Sequence, residues 1–266
     1  MLSSPRSSIS PLRAFRAHGI GNDYLVVDRS LSPALVRALC DRHRGLGSDG
    51  VLVPVEVPAG CDYAVRIYNP DGSEAEKSGN GLRIFATWLR LRRGAPSAFT
   101  VWTVGGKVSC SVEDRSWPPQ VQVDMGRAVV GFPRPFEELM YTPVSVGNPH
   151  AVVWGSYPDW QARGARIECS VEGRTNVQFA EVVNQHTIRA KIWERGAGPT
   201  LSSGSSSCAI AAAGVASGKV QSPVTIQMDG GELFVEVSPA LDLRMSGPVE
   251  PVGDIVVEDA WLHSRS

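Results

Sequence analysis

Little in this chain points toward a membrane, a nucleic acid or a metal. No apolar run approaches the ~18 residues of a membrane span. The net charge is −1 at pH 7, with 26 basic against 27 acidic side chains. Neither sign is in excess, so no polyanion or membrane surface is implied as partner. Cysteine is sparse: Cys40, Cys61, Cys110, Cys169 and Cys208 are odd in number and scattered, without CxxC or zinc-ligand spacing. That pattern argues against a disulfide framework and a metal site, and it fits reduced thiols in a cytoplasmic protein. Cys110 and Cys208 fall in apolar strand and helix patterns and read as core. The segment from Met1 to Pro11 is rich in Ser and Pro, lacks the apolar stretch of a signal peptide, and reads as a loose leader. The rest is ordinary globular material, 42% hydrophobic and 20% charged, and 266 residues suit two domains.

Two stretches 125 residues apart look like copies of one device. Ser78-Gly79-Asn80-Gly81 opens the apolar run Leu82 to Leu89, and Ser203-Gly204-Ser205-Ser206 opens Cys208 to Ala213. Each reads as a Gly-rich turn at a helix N-terminus, where free backbone N–H groups can hold an anion. The surroundings keep register. Asn22 of Gly21-Asn22-Asp23 precedes Ser78 by 56 residues, and Asn148 of Gly147-Asn148-Pro149 precedes Ser203 by 55. Gly105-Gly106 begins 27 residues after Ser78, and Gly230-Gly231 begins 27 after Ser203. Both Gly pairs lead into strand-like runs, Lys107 to Val112 and Glu232 to Val237. The chain reads as an internal duplication whose halves face each other across one ligand.

Strand patterns dominate: 13–17, 24–28, 51–55, 63–68, 151–154 and 187–193 are β-branched or aromatic runs with partial alternation. Helices are expected at about 34–42, 82–92 and 208–216. The fold class is therefore α+β: two pseudo-symmetric domains, each a mostly antiparallel sheet or barrel wrapped around a central helix. The halves are expected at 12–127 and 128–253, with a C-terminal strand at about 254–264 joining the first. The boundary sits where Pro and Gly collect, between Gly126 and Pro135.

Several motifs carry a family resemblance. His18-Gly-Ile-Gly-Asn22-Asp23-Tyr24, Tyr68-Asn69-Pro-Asp71-Gly72 through Ser78-Gly79-Asn80-Gly81-Leu-Arg83, Val144 through Asn148-Pro149-His150, Arg174-Thr-Asn176, and Glu194-Arg195-Gly-Ala-Gly198 through Ser203-Gly204-Ser205 resemble, in order, the signatures of diaminopimelate epimerases. The resemblance runs from about Phe15 to the C-terminus. It implies the fold just described, and a cofactor-independent amino-acid epimerase that moves a Cα proton between two bases, converting LL- to meso-diaminopimelate in lysine biosynthesis. It implies no metal, a small amino-acid substrate, no nucleic-acid or membrane partner, and leaves room for a homodimer.

The main departure is at the bases. Ser78 and Ser203 stand where the family carries its catalytic cysteines. A thiol's pKa of ~8.5 can be drawn toward neutrality at a helix N-terminus, whereas a serine hydroxyl is a poor base unless another group takes its proton. The resemblance implies His150 beside Ser78 and Glu194 beside Ser203 as those groups. It places the substrate α-carboxylate on the backbone N–H groups of Gly79, Asn80, Gly204 and Ser205, with Asn22 holding the reacting end. Asn69, Asn148, Asn176 and Arg195 would surround the distal end, where the planar fork of Arg195 suits a second carboxylate. Gly50 stands where some members place a substrate-contacting Gln, and Pro199 replaces a common acidic residue. Several readings of the serine pair stay open: a laboratory replacement of both cysteines, a natural epimerase using serine relays, a related isomerase or racemase acting through Glu194, and a binding protein without catalysis.

Overall fold

The computed structural model describes residues 11–265, so all of the leader read from the sequence except Pro11 lies outside the described residues. The first half of the chain runs through β1 (Leu12–Gly19), β2 (Asn22–Val27), α1 (Pro33–Cys40), β3 (Val51–Pro54), β4 (Tyr63–Tyr68), β5 (Glu74–Ala75), α2 (Gly79–Arg93), β6 (Ala98–Thr103), β7 (Gly106–Glu113) and β8 (Gln120–Arg127). Two short strands, β9 (Val129–Val130) and β10 (Arg134–Phe136), follow. The second half then repeats the succession: β11 (Leu139–Ser145), β12 (Pro149–Trp154), α3 (Trp160–Ser170), β13 (Asn176–Asn184), β14 (Thr187–Glu194), β15 (Gly198–Thr200), α4 (Gly204–Ala216), β16 (Val224–Met228), β17 (Gly231–Val237) and β18 (Asp242–Pro248).

Pairing repeats as faithfully as order. In the first half β1 is antiparallel to β2, β2 parallel to β3, β3 antiparallel to β4 and β4 parallel to β6, after which β6, β7 and β8 form an antiparallel meander. From β11 through β12, β13, β14, β16, β17 and β18 the same senses recur at every step. The halves are joined where β8 lies antiparallel to β18. A last strand, β19 (Glu250–Val257), returns to pair with β1, and a short helix, α5 (Asp259–His263), follows it.

The apolar strands serve two cores at once. Along β2, Tyr24 and Val26 face the main core with α2, while Leu25 and Val27 face a second core with α1. Along β12, Val152 joins the main core, and Ala151 and Val153 join a third core with Ile167 of α3. Successive strand residues point to opposite faces, so strands covered on both sides read as unbroken apolar runs. The main core extends across both halves and encloses α2 and α4, whose Ile84, Ile210 and Ala212 are fully buried.

Both central helices begin one turn before their apolar runs, because Ser78 and Ser203 are the N-caps and the glycines behind them form the first turn. Helix α1 follows the expected pattern, with Ser32 capping the N–H of Leu35 and Pro33 opening the helix. Helix α3 is not among the helices expected from sequence. It has Gly164 inside it and no side-chain cap at Asp159, both weak helix signals. Packing explains the glycine: a Cβ there would lie 2.9 Å from Cγ of Trp193.

Close approach also governs the turn into β17. A Cβ at Gly230 would stand 2.1 Å from the Ile20 carbonyl oxygen, and the Gly230 N–H donates to Leu201 O at 2.9 Å. This turn presses the second half against the β1–β2 turn of the first. Gly230→Ala is expected to lower the unfolding free energy by about 1–3 kcal/mol, as overpacking against backbone does. Urea titration would show it as a reduced midpoint; an unchanged midpoint would mean that the turn gives way without cost.

Candidate functional site

The two central helices meet N-terminus to N-terminus. A Cβ on Gly204 would lie 3.2 Å from the Cα of Gly79, and one on Gly79 would lie 3.4 Å from the Cα of Gly204. The Met245 methyl backs both glycines, at 2.9 and 3.0 Å from the same points. Their caps are near-identical in backbone: Ser78 has φ −137° and ψ 120°, Ser203 has φ −149° and ψ 122°. Among the described residues the N–H groups of Gly79, Asn80, Gly204 and Ser205 donate to no acceptor. Four donors and two positive helix ends thus converge on one point, the physical recipe for binding a carboxylate.

The capping hydroxyls are equivalent in backbone position only. Ser78 Oγ accepts the N–H of Gly81 at 3.0 Å and lies 3.1 Å from the Tyr24 hydroxyl. Ser203 makes no side-chain cap bond, and its hydroxyl has Glu194 as a neighbour. Burial pushes the Glu194 carboxyl up, its contact with Ser203 opposes the rise, and Asp49 adds to it. Burial likewise pushes the Tyr24 phenol well up, with Ser78 opposing and Glu194 adding, so Glu194 and Tyr24 share one electrostatic site.

A polar chain supports the site from the first half. Asn80 donates to Asn22 Oδ1 at 3.0 Å, and Asn22 donates to Asp49 at 2.9 Å. Arg83, one turn into α2 and fully buried, donates to Asn80 Oδ1 at 2.6 Å and to the Pro248 carbonyl at 3.0 Å. Asp49 and Asp23 share Arg42, and Asp23 also pairs with Arg16 at 2.7 Å. Burial raises the Asp23 carboxyl, but Arg42 and Arg16 together hold it below the ordinary range. A surface hollow of about 460 Å³ lies beside this network, lined by Arg16, His18, Arg42 and Leu201 among others; the two serines are not part of its lining. Its arginines are already paired to carboxylates, so the glycine junction is the better candidate for the chemistry.

His150 stands apart from the role implied for it. It is 2% exposed, its Nε2 lies 3.0 Å from Asn148 Oδ1, and its Nδ1 lies 3.0 Å from Gln178 Nε2. Both ring nitrogens are thus occupied, and Ser78 is bonded to Tyr24 and Gly81 instead. The implied Ser78–His150 pair is therefore not a direct hydrogen bond in this structure. Burial pushes the imidazole down to about 3, with Gln178 opposing and Arg195 adding to the depression. Gln178 also donates to Ser206 Oγ at 3.0 Å, tying His150 to α4.

Of the residues expected around a distal end, three are linked. Asn176 donates to the Pro149 carbonyl at 3.0 Å and accepts the Arg195 N–H at 3.1 Å, beside the Asn148–His150 pair. The Arg195 guanidinium is exposed, with one bond to the Gly173 carbonyl at 3.3 Å, and is open to a further anion. Asn69 is different: its amide donates to Ser73 within its own turn. Tyr24, Gln178, Asp49 and Arg83 are participants to which the sequence motifs assign no role. Gln178 had a signal, because it lies two residues after Asn176 on β13 and so on the same strand face. No group of three His, Cys, Asp or Glu side chains suited to a metal occurs among the described residues.

Comparison with known proteins adds to this geometry. The sequence model of the family described as diaminopimelate epimerase matches residues 15–131 and 142–252. The chain is 36% identical over 268 residues to a diaminopimelate epimerase 2 from Nostoc sp., covering 90% of this chain and 93% of that one. It is also 36% identical over 284 residues to a diaminopimelate epimerase from Burkholderia pseudomallei, covering 91% and 97%. Among solved structures, a hydroxyproline epimerase from Agrobacterium vitis aligns with a TM-score of 0.74 at 14% identity, over 92% of this chain and 90% of that one. A phenazine biosynthesis protein of the PhzF family from Bacillus anthracis aligns with a TM-score of 0.74 at 13% identity, over 94% and 100%. The two structural likenesses speak for the fold.

The enclosure of His150 has a measurable consequence. Its ring is expected to stay neutral, with no titration in its ¹⁵N or ¹H shifts between pH 5 and 8; a midpoint near the usual ~6.5 would contradict the enclosed geometry. Its folded pKa lies below the unfolded one, so only the unfolded chain binds this proton between the two values. The His150 contribution to stability is complete above about pH 6.5 and is lost as pH falls toward 3.

Proposed function

The chain belongs to the diaminopimelate epimerase family, and we propose that it is an amino-acid epimerase whose cleft lies between the facing N-termini of α2 and α4. In this reading the substrate α-carboxylate sits on the N–H groups of Gly79, Asn80, Gly204 and Ser205. Charge that spreads onto the carboxylate as the Cα proton leaves is met by donors already in position. Ser203 backed by Glu194 lies on one face of Cα and Ser78 on the other, so abstraction and return occur on opposite faces and invert the centre. Asn22 holds the reacting end. Asn148, Asn176 and Arg195 hold the distal amino-acid end, with His150 steadying Asn148, and LL-diaminopimelate passes to the meso isomer. This reading needs no metal or organic cofactor. The observation that carries it is the contact of Gly79 with Gly204, which joins the two capping serines around one set of unsatisfied donors. A cytoplasmic setting belongs to the same reading and rests on the free state of all five cysteines.

Proton NMR of LL-diaminopimelate with the protein in D₂O tests the reaction. Loss of the Cα proton together with appearance of the meso isomer is the expected result. Saturable binding without exchange would make the protein an amino-acid binder, and neither binding nor exchange would dismiss diaminopimelate as its substrate.

Arg195→Ala tests the distal cage separately. It is expected to weaken diaminopimelate by roughly ten- to a hundredfold, the worth of a charge-assisted hydrogen bond, while leaving a monocarboxylic analogue unaffected. Calorimetric titration of both ligands gives the answer, and equal affinities before and after substitution would refute the cage.

A further inference from the structure

The turn that carries Arg195 is held from behind by a buried carboxylate on α3. We propose that Glu168 is a positioning residue for substrate selection: it fixes the backbone of the Arg195 turn and the Gly173 carbonyl beside it, and so presets the Arg195 guanidinium for a distal carboxylate. The proposal rests on the epimerase reading above and deepens it at the distal end.

Glu168 is 3% exposed and receives three donors on its two oxygens. Oε1 accepts the Gly196 N–H at 2.8 Å and Arg174 Nη2 at 2.5 Å, and Oε2 accepts the Trp193 indole N–H at 2.7 Å. An ionised carboxylate meets this demand, because both oxygens accept and neither carries a proton. Burial raises the Glu168 carboxyl, but Trp193, Gly196 and Arg174 together hold it below the ordinary range, so it is charged at neutral pH. Trp193 and Gly196 flank Glu194 and Arg195 in sequence, and the Ala197 N–H closes the turn onto the Glu194 carbonyl at 3.2 Å. One carboxylate therefore clamps both sides of the Glu194-Arg195 pair. The clamp has a firm seat: a Cβ on Gly164, one turn before Glu168, would lie 2.9 Å from Cγ of Trp193, so α3 packs directly on the strand that ends in Glu194.

The head of Arg195 traces back to the same carboxylate. Its Nη1 donates to the Gly173 carbonyl at 3.3 Å, and its own N–H donates to Asn176 Oδ1 at 3.1 Å. Gly173 and Arg174 lie in the turn between α3 and β13, which the Arg174 N–H closes onto Val171 O at 2.8 Å. Arg174 sits there at φ +60°, a left-handed conformation unfavourable for a residue other than glycine. Its bond to Glu168 holds that conformation and with it the carbonyl that receives Arg195. The same bond pairs Arg174 with a carboxylate, whereas Arg195 has no carboxylate partner among the described residues and stays open to an incoming anion.

A long arginine side chain is costly to order at the moment of binding. With its turn preset, the fork meets a second carboxylate without that cost, and a ligand lacking the second carboxylate gains nothing. Glu168 thus acts on selectivity and not on affinity at large.

Calorimetric titration of wild type and Glu168→Gln tests this, with LL-diaminopimelate and with L-lysine, which is diaminopimelate without its distal carboxylate. Glutamine offers one acceptor oxygen to three donors, so the turn loosens. Diaminopimelate is expected to weaken by roughly three- to tenfold, the cost of ordering one long side chain, while L-lysine is unaffected. A parallel loss of both ligands would overturn the proposal, because a merely structural carboxylate lowers both alike, and so would no loss of either. If Glu168→Gln does not fold, Arg174→Gln, at a half-exposed side chain, is read in the same way. A wild type that does not favour diaminopimelate over L-lysine would sink the distal part of the epimerase reading, and the clamp is then read without ligand. Hydrogen exchange at the Gly196 amide and the Trp193 indole should be severalfold faster in Glu168→Gln, with the amides of β2 unchanged. Equal rates in both proteins, or a uniform rise that includes β2, would overturn the clamp itself.

Discussion

Everything in this molecule is arranged around the contact of Gly79 with Gly204. Two helices that point their N-termini at each other bring together like ends of two macrodipoles and leave their first N–H groups unpaired, an arrangement that opposes itself. It persists because the rest of each helix is sunk in apolar surroundings: Leu82 to Leu89 of α2 and Cys208 to Ala213 of α4 are buried in the shared core. Glycine gives the junction its close approach, since a Cβ at either position would press on the Met245 methyl and stand 3.2–3.4 Å from the opposite Cα. Hydrophobic burial thus holds in place a cluster of donors that is complete only when an anion sits on it.

Duplication makes the junction symmetric in backbone, and single residues then make it asymmetric in chemistry. The same order and sense of pairing place Ser78 and Ser203 alike, with φ and ψ matching within about 12°. Their partners come from strands that do not correspond between halves: Tyr24 from β2 and Glu194 from the end of β14. A repeated fold therefore supplies two equivalent backbone positions whose hydroxyls have different surroundings. His150 belongs to the second half's scaffolding in the same sense, since its ring is occupied in joining Asn148 to Gln178.

The duplication, the family resemblance and the mixed α+β architecture are legible in the sequence because they rest on local signals. Gly pairs, capping serines and apolar runs keep their spacing along the chain, so Ser78 with Gly79 and Ser203 with Gly204 announce the junction through local pattern alone. What the sequence does not carry is which distant element faces which. Tyr24 and Ser78 are 54 residues apart and meet only because β2 and α2 share the main core. The pairing of His150 with Ser78, inferred from resemblance, gives way to Gln178 because β12 and β13 lie parallel and in register, with His150 opposite Asn176. Gly50 stands out in sequence as a departure, and its reason is spatial: the Tyr24 ring fills the space beside it. Helix α3 is hidden by a mid-helix glycine that only its contact with Trp193 explains.

Arg83 carries the electrostatic consequence of the junction deeper. Its guanidinium is fully buried with Nε unpartnered, and its other nitrogens bond the Asn80 amide oxygen and a backbone carbonyl rather than a carboxylate. Burial draws its pKa down to about 10, which still leaves it charged at neutral pH. A buried cation is expensive unless opposed, and hydrogen bonds to neutral oxygens offset only part of that cost. A hydrogen-bonded chain through Asn80 and Asn22 leads from it to the Asp49 carboxylate, and an anion at the helix ends one turn away would oppose it further. The bond from Arg83 also fixes the orientation of the Asn80 amide, so that its nitrogen faces Asn22 and Ser202. One buried charge thereby does two things at once: it sets the geometry of the polar chain beneath the cleft and deepens the positive field into which a carboxylate would move.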